Sequence, residues 1–156
     1  MSGIAGSVGS NSGVIYGKRI LSGSNCYHGY NGNQNSSAPT WKFTPSEGTG
    51  AGFFHNDDNF LTHSDNTASF VCNIAGAYGV SASLIPYNTN DSIHCHIRKN
   101  GTNHTDIRGP ASSGHGSSGG MIILECVPTD TITVTGNLNA HSGGYTFISI
   151  FWLGAK

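Results

Sequence analysis

Apolar and polar positions alternate in short bursts through the middle of the chain. Four of these bursts set its frame: Ser69-Phe-Val-Cys-Asn-Ile, Gly79-Val-Ser-Ala-Ser-Leu-Ile, Ser92-Ile-His-Cys-His-Ile-Arg and Met121-Ile-Ile-Leu-Glu-Cys-Val. Each is rich in branched residues and closed by Gly, Asn, Asp or Pro, which is the signature of a strand. No helical segment separates them, so they predict an antiparallel sandwich or barrel. Alternation places Phe70, Cys72 and Ile74 on one face, and Val80, Ala82 and Leu84 on another.

Around this frame, residues 1–13 are Gly/Ser-rich and read as an arm that does not pack by itself. A single domain is expected over residues 14–156. Val14 to Leu21 reads as a first strand and Ser22 to Pro39 as a long polar loop. Trp41-Lys-Phe-Thr, Gly52-Phe-Phe and Asn59-Phe-Leu-Thr mark three short strands. After Ile97 the pair Asn100-Gly101 predicts a tight hairpin, because both residues accept positive φ. Arg108 to Gly120 reads as a surface loop. Thr131-Ile-Thr-Val-Thr alternates, with Ile132 and Val134 inward.

The last burst, Tyr145-Thr-Phe-Ile-Ser-Ile-Phe-Trp-Leu, is apolar on both faces, so both faces need a cover. One side, Ile148, Ile150 and Trp152 or their opposites, is expected to meet the domain's own core. The other then needs a partner. Exposed aromatic patches of this kind mark a subunit contact, with a ligand groove as the alternative.

Composition narrows the classes. In 156 residues only 10% are charged while 23 are Gly, and the net charge is −1; ordinary domains carry roughly 25% charge. So few cations cannot neutralise a phosphate backbone, and no nucleic-acid partner is expected. No apolar run is long enough for a helical membrane span, so no membrane insertion is expected. The N-terminus reads as lacking a secretory signal. Cys72, Cys95 and Cys126 fall on apolar faces, as reduced core cysteines do. A disulfide is the alternative reading, and Cys26 sits undetermined in a polar stretch.

The order of these motifs resembles the C1q/TNF-like jelly roll. Trp41-Lys-Phe-Thr, Asn56 to Phe60 and Ala68 to Phe70 look like that family's opening strands. Gly76-Ala-Tyr78 is similar to its turn into a central strand, Lys99-Asn-Gly101 to its hairpin, and Phe147 to Phe151 to its closing strand. The likeness runs from about Val14 to Leu153. Departures are Thr129-Asp130 in place of a Gly-Asp turn, Ser149 in place of the closing Gly, and Val80 where an aromatic is common. The resemblance implies an all-β, two-sheet antiparallel sandwich that assembles as a homotrimer, with Tyr145, Phe147, Ser149 and Phe151 at the subunit interface. Without a collagen-type repeat, the chain looks most like the small C1q-like heads of phage and other viral structural proteins. That implies a virion-surface protein, a capsid decoration or fibre head, with a capsid or tail protein and a host glycan or receptor as partners. A secreted, extracellular recognition or cytokine-like head is the alternative. Tyr87, Asn88, Asn90 and His115 lie in the candidate receptor or glycan loops.

Chemistry beyond binding is sparse, and no cofactor is expected. His94 and His96 are two apart on a strand, so they share a face and could begin a metal site. No carboxylate neighbours them in sequence, and solvent-facing histidines explain them equally. Asp57 and Asp58 offer calcium-type oxygens, but Asn/Asp runs are common as plain turns. The match Gly116-Ser-Ser-Gly-Gly120 lacks the strand-then-helix setting of a nucleophile elbow. The sequons at Asn35, Asn90, Asn100 and Asn103 are what such a composition produces by chance. The chain reads as a non-enzyme.

Overall fold

A computed structural model describes residues 25–31, 43–44, 53–64, 67–85, 93–109, 118–136 and 143–155. Twelve strands run through them: β1 (Asn25–Asn31), β2 (Phe43–Thr44), β3 (Phe53–Asn56), β4 (Leu61–Thr62), β5 (Ser69–Cys72) and β6 (Gly76–Leu84), followed by β7 (Ile93–Lys99), β8 (Thr102–Asn103), β9 (Ile107–Gly109), β10 (Ser118–Cys126), β11 (Thr131–Gly136) and β12 (Gly143–Gly154). They form two antiparallel sheets. The first has the order β10-β6-β12-β1-β2, with β3 also on β1. The second has the order β4-β5-β11-β7-β8, with β9 also on β7.

The alternation read from the sequence decides what lies between the sheets. Phe70, Cys72, Val80, Leu84, Cys95, Ile97, Leu124, Ile132, Val134, Ile148 and Ile150 are all buried in one core. Ile148 and Ile150 therefore make the inward face of the closing strand, and Trp152 packs partly against the same core. Tyr78 is fully buried, and its hydroxyl donates to the carbonyls of Ile74 (2.8 Å) and Phe60 (3.0 Å). A buried phenol needs such partners. Gly76 opens its strand at φ 148°, and a Cβ there would overlap the Gly154 carbonyl and the Trp152 indole.

The hairpin after β7 turns at Asn100 (φ 50°) and Gly101 (φ 79°), the two positive values that the Asn-Gly pair predicts.

Two expectations need correction. The stretch from Ser22 to Pro39 is not all loop, because β1 occupies Asn25–Asn31 and pairs with both β12 and β3. Its polar look misleads. Gly29 is the space that Tyr27 needs, since a Cβ on Gly29 would overlap the Tyr27 ring. Tyr27 itself is fully buried, edge-on to Phe70 at 4.8 Å and Phe54 at 5.4 Å. Likewise Arg108 to Gly120 is loop only in part. Arg108 and Gly109 belong to β9, and Ser118 to Gly120 open β10 against Leu84, Ser83 and Ala82. Register on a neighbouring strand outweighs loop-like composition there. The arm at residues 1–13 and the strand expected at Val14 to Leu21 lie outside the described residues.

Candidate functional site

The outward side of the first sheet is built by the alternate residues of its central strands. Phe151 stands opposite Gly79, Ser149 opposite Ser81 and Phe147 opposite Ser83. On the next strand Ile123 pairs with Gly79 and Met121 with Ser81. On the other flank Cys26, His28 and Tyr30 pair with Phe151, Ser149 and Phe147. Met121 and Ile123 are 60% and 59% exposed, and Leu153 joins them. Isolated exposed apolar residues are ordinary, but a contiguous set on one sheet face is not. Charge enters at its end, with Glu125 on β10.

Within this face His28 and Ser149 meet as polar partners. His28 Nδ1 and Ser149 Oγ lie 2.7 Å apart, and the His28 ring sits between Tyr30 (4.9 Å) and Phe147 (5.3 Å). Burial holds the His28 pKa below its ordinary value, so at neutral pH it adds no charge. Ser149 is itself buried under these neighbours, while Phe147 and Phe151 remain half-buried. The Tyr145 side chain lies outside the described residues.

The opposite side of the sandwich carries the histidine pair. Cys95 and Ile97 of β7 point inward, so His94 and His96 point out. The hairpin through β8 returns Asp106 to them. Its Oδ1 lies 3.4 Å from His94 Nδ1 and 3.8 Å from His96 Nδ1. Its other oxygen, Oδ2, accepts from Arg108 Nε (2.8 Å) and Nη2 (2.6 Å). This guanidinium, before any other neighbour, holds the Asp106 carboxyl below the usual carboxylate range. In sequence Asp106 reads as an isolated turn residue, ten positions beyond His96.

Asp57 and Asp58 lie in the turn between β3 and β4. Asp58 Oδ2 accepts from Asn25 Nδ2 at 2.7 Å, and Asn25 Oδ1 accepts from the Asp58 amide. Asn56 closes the same turn on Leu61, and Asn59 takes the left-handed conformation (φ 51°). The Asn56 bonds close the turn locally, and the Asn25–Asp58 pair ties it to β1. Tyr87, Asn88, Asn90 and His115 lie outside the described residues.

A cleft of about 510 Å3 opens at one end of the sandwich, lined by Lys99, Glu125, Cys126, Val127 and Asp130 among others. Its ammonium is engaged: Lys99 Nζ donates to the Glu125 carbonyl (2.9 Å) and lies 3.5 Å from Asp130 Oδ2. Asp130 is held below the usual carboxylate range by Asn100 and then by the Val127 amide. All four cysteines are buried free thiols. Burial raises Cys26 and pushes Cys95 up to about 12, while Cys72 is raised mainly by its hydrogen bond to Cys126.

No family model matches this chain, and no curated protein does. Solved structures do match. Murine APRIL at pH 5.0 superposes with a TM-score of 0.63 at 13% identity, covering 82% of this chain and 98% of that one. The globular domain of zebrafish complement 1qA gives 0.63 at 11%, covering 85% and 99%. The Eiger TNF of S. frugiperda gives 0.60 at 13%, covering 85% and 94%. The fold is the TNF/C1q jelly roll. At such identities the likeness carries the architecture alone. Within this jelly roll the apolar side belongs to the sheet that holds the closing strand β12, and the histidine cluster belongs to the other sheet.

Proposed function

We propose that this chain is a non-enzymatic binding head that works as a homotrimer, packed through the outward side of its first sheet. The observation that carries the reading is the exposed row of Met121, Ile123 and Leu153 beside Phe147 and Phe151. Two further copies supply the cover a single chain lacks, as the C1q/TNF resemblance implies, with Tyr145, Phe147, Ser149 and Phe151 at or beneath the contact. Three copies then hold their loops at fixed spacing, which raises avidity for weak multivalent ligands such as surface glycans.

The setting we favour is a virion surface, where the head docks on a capsid or tail protein and faces a host receptor or glycan. The low-charge Gly/Ser/Asn/Thr composition supports it. A secreted, extracellular recognition head is the second reading, and it is favoured by the animal jelly rolls above. Light scattering on purified protein tests the assembly, with three times the 16.3 kDa chain mass expected; a stable monomer overturns it. Co-sedimentation with intact particles separates the settings.

A further inference from the structure

His94, His96 and Asp106 come from two segments joined by a hairpin, yet one donor atom from each lies within 4.8 Å of the other two. We propose that they form a binding site for a divalent transition-metal ion of the zinc class, on the side of the sandwich opposite the assembly face. Zinc holds imidazole nitrogen and carboxylate oxygen at about 2.0–2.2 Å, which sets tetrahedral ligand atoms about 3.4 Å apart. Asp106 Oδ1 and His94 Nδ1 stand at 3.4 Å already. The wider separations require side-chain rotation, and for His96 a turn that presents Nε2, because its Nδ1 is held by the Thr105 carbonyl.

The surrounding groups orient the donors. Arg108 grips Asp106 Oδ2 and so leaves Oδ1 facing the imidazoles. The Thr105 carbonyl accepts from His96 Nδ1 at 2.9 Å. That bond keeps the proton on Nδ1 and the lone pair on Nε2, the arrangement in which metal-bound histidines use their second nitrogen. His94 and Arg108 are cross-strand partners, so the ladder fixes both sides of the site.

Two nitrogens and one oxygen select the ion. Calcium needs six to eight oxygens and magnesium an octahedron of them, whereas imidazole suits zinc, copper and nickel. Three protein ligands leave a fourth position for water, as in open zinc sites.

The test is calorimetric titration of chelator-treated full-length protein with Zn2+, repeated with Co2+ to read coordination from its visible spectrum and with Ca2+ as contrast. One Zn2+ per chain is expected, with no calcium heat. His94→Ala with His96→Ala, and separately Asp106→Asn, should weaken zinc binding at least about tenfold. Asp58→Asn, in the other acidic turn, should leave it unchanged. Zinc should raise the parent's Tm but not that of the ligand variants, whose ion-free melting should match the parent's. Unaltered zinc affinity in the double histidine variant, an equal zinc-induced Tm shift in parent and variants, or no zinc binding by the parent would each overturn the site. The outcome is independent of trimer assembly, because the two surfaces lie on opposite sides of the sandwich.

Discussion

Phe151 lies directly across the ladder from Gly79, so its ring has no side chain beside it on that strand. The space over Gly79 is taken by Met121 and Leu153, whose methyl groups stand 3.3 and 3.6 Å from where a Cβ would be. The glycine thus lets apolar groups from the two flanking strands, β10 and β12, meet in one surface. Ile123→Asp places a charge at the middle of that surface. Since Ile123 is 59% exposed in the single chain, the change should leave stability within about 0.5 kcal/mol. Light scattering should nevertheless report a monomer, with the circular dichroism of the parent. A trimer that survives Ile123→Asp and Met121→Asp together would remove the assembly reading.

Asp130 ties two turns together. It accepts from Asn100 Nδ2 (2.6 Å) and the Val127 amide (2.9 Å), and Asn100 Oδ1 accepts from the Thr131 amide (2.8 Å). Its folded pKa lies below the unfolded value of about 3.9. The sign follows: its stabilisation is complete well above pH 4 and drains away as pH falls through the depressed folded value. Asp130→Ala should cost about 1–3 kcal/mol at pH 7, and urea melts should lose part of their decline below about pH 5. Equal slopes in parent and variant would contradict this.

Thr129 holds φ at 78°, where a β-branched residue is strained by about 1–2 kcal/mol. Glycine adopts this conformation freely but gives up about 0.4–1 kcal/mol through the unfolded chain. Thr129→Gly should therefore stabilise by about 0.5–1 kcal/mol, measured as a higher urea midpoint at unchanged m-value. Destabilisation would mean that the threonine side chain contributes more than its strain.

Cys26, Cys72 and Cys95 should be inert in the native protein. Only a thiolate reacts; burial holds Cys95 at about 12 and raises Cys26, and the hydrogen bond to Cys126, then burial, raises Cys72. A disulfide-exchange reagent at pH 8 should label these three slowly, with full reaction on adding denaturant. Rapid native labelling of Cys95 would show that its strand opens locally.

Local alternation determined most of this architecture. Side chains on a strand change faces residue by residue, so Phe70, Cys72, Val80, Leu84, Ile97, Ile132 and Val134 could be assigned to the core from their spacing alone. The doubly apolar closing strand was legible for the same reason, and the Asn100-Gly101 turn because both residues accept positive φ. Only the tertiary structure revealed β1 inside a polar stretch, because its Gly29 makes sense only beneath the Tyr27 ring. It alone brought Asp106 to His94 and His96 and showed that Thr129 bears a strained backbone. Those relationships depend on register and chain reversal, which bring together residues whose separation along the chain carries no periodic signal.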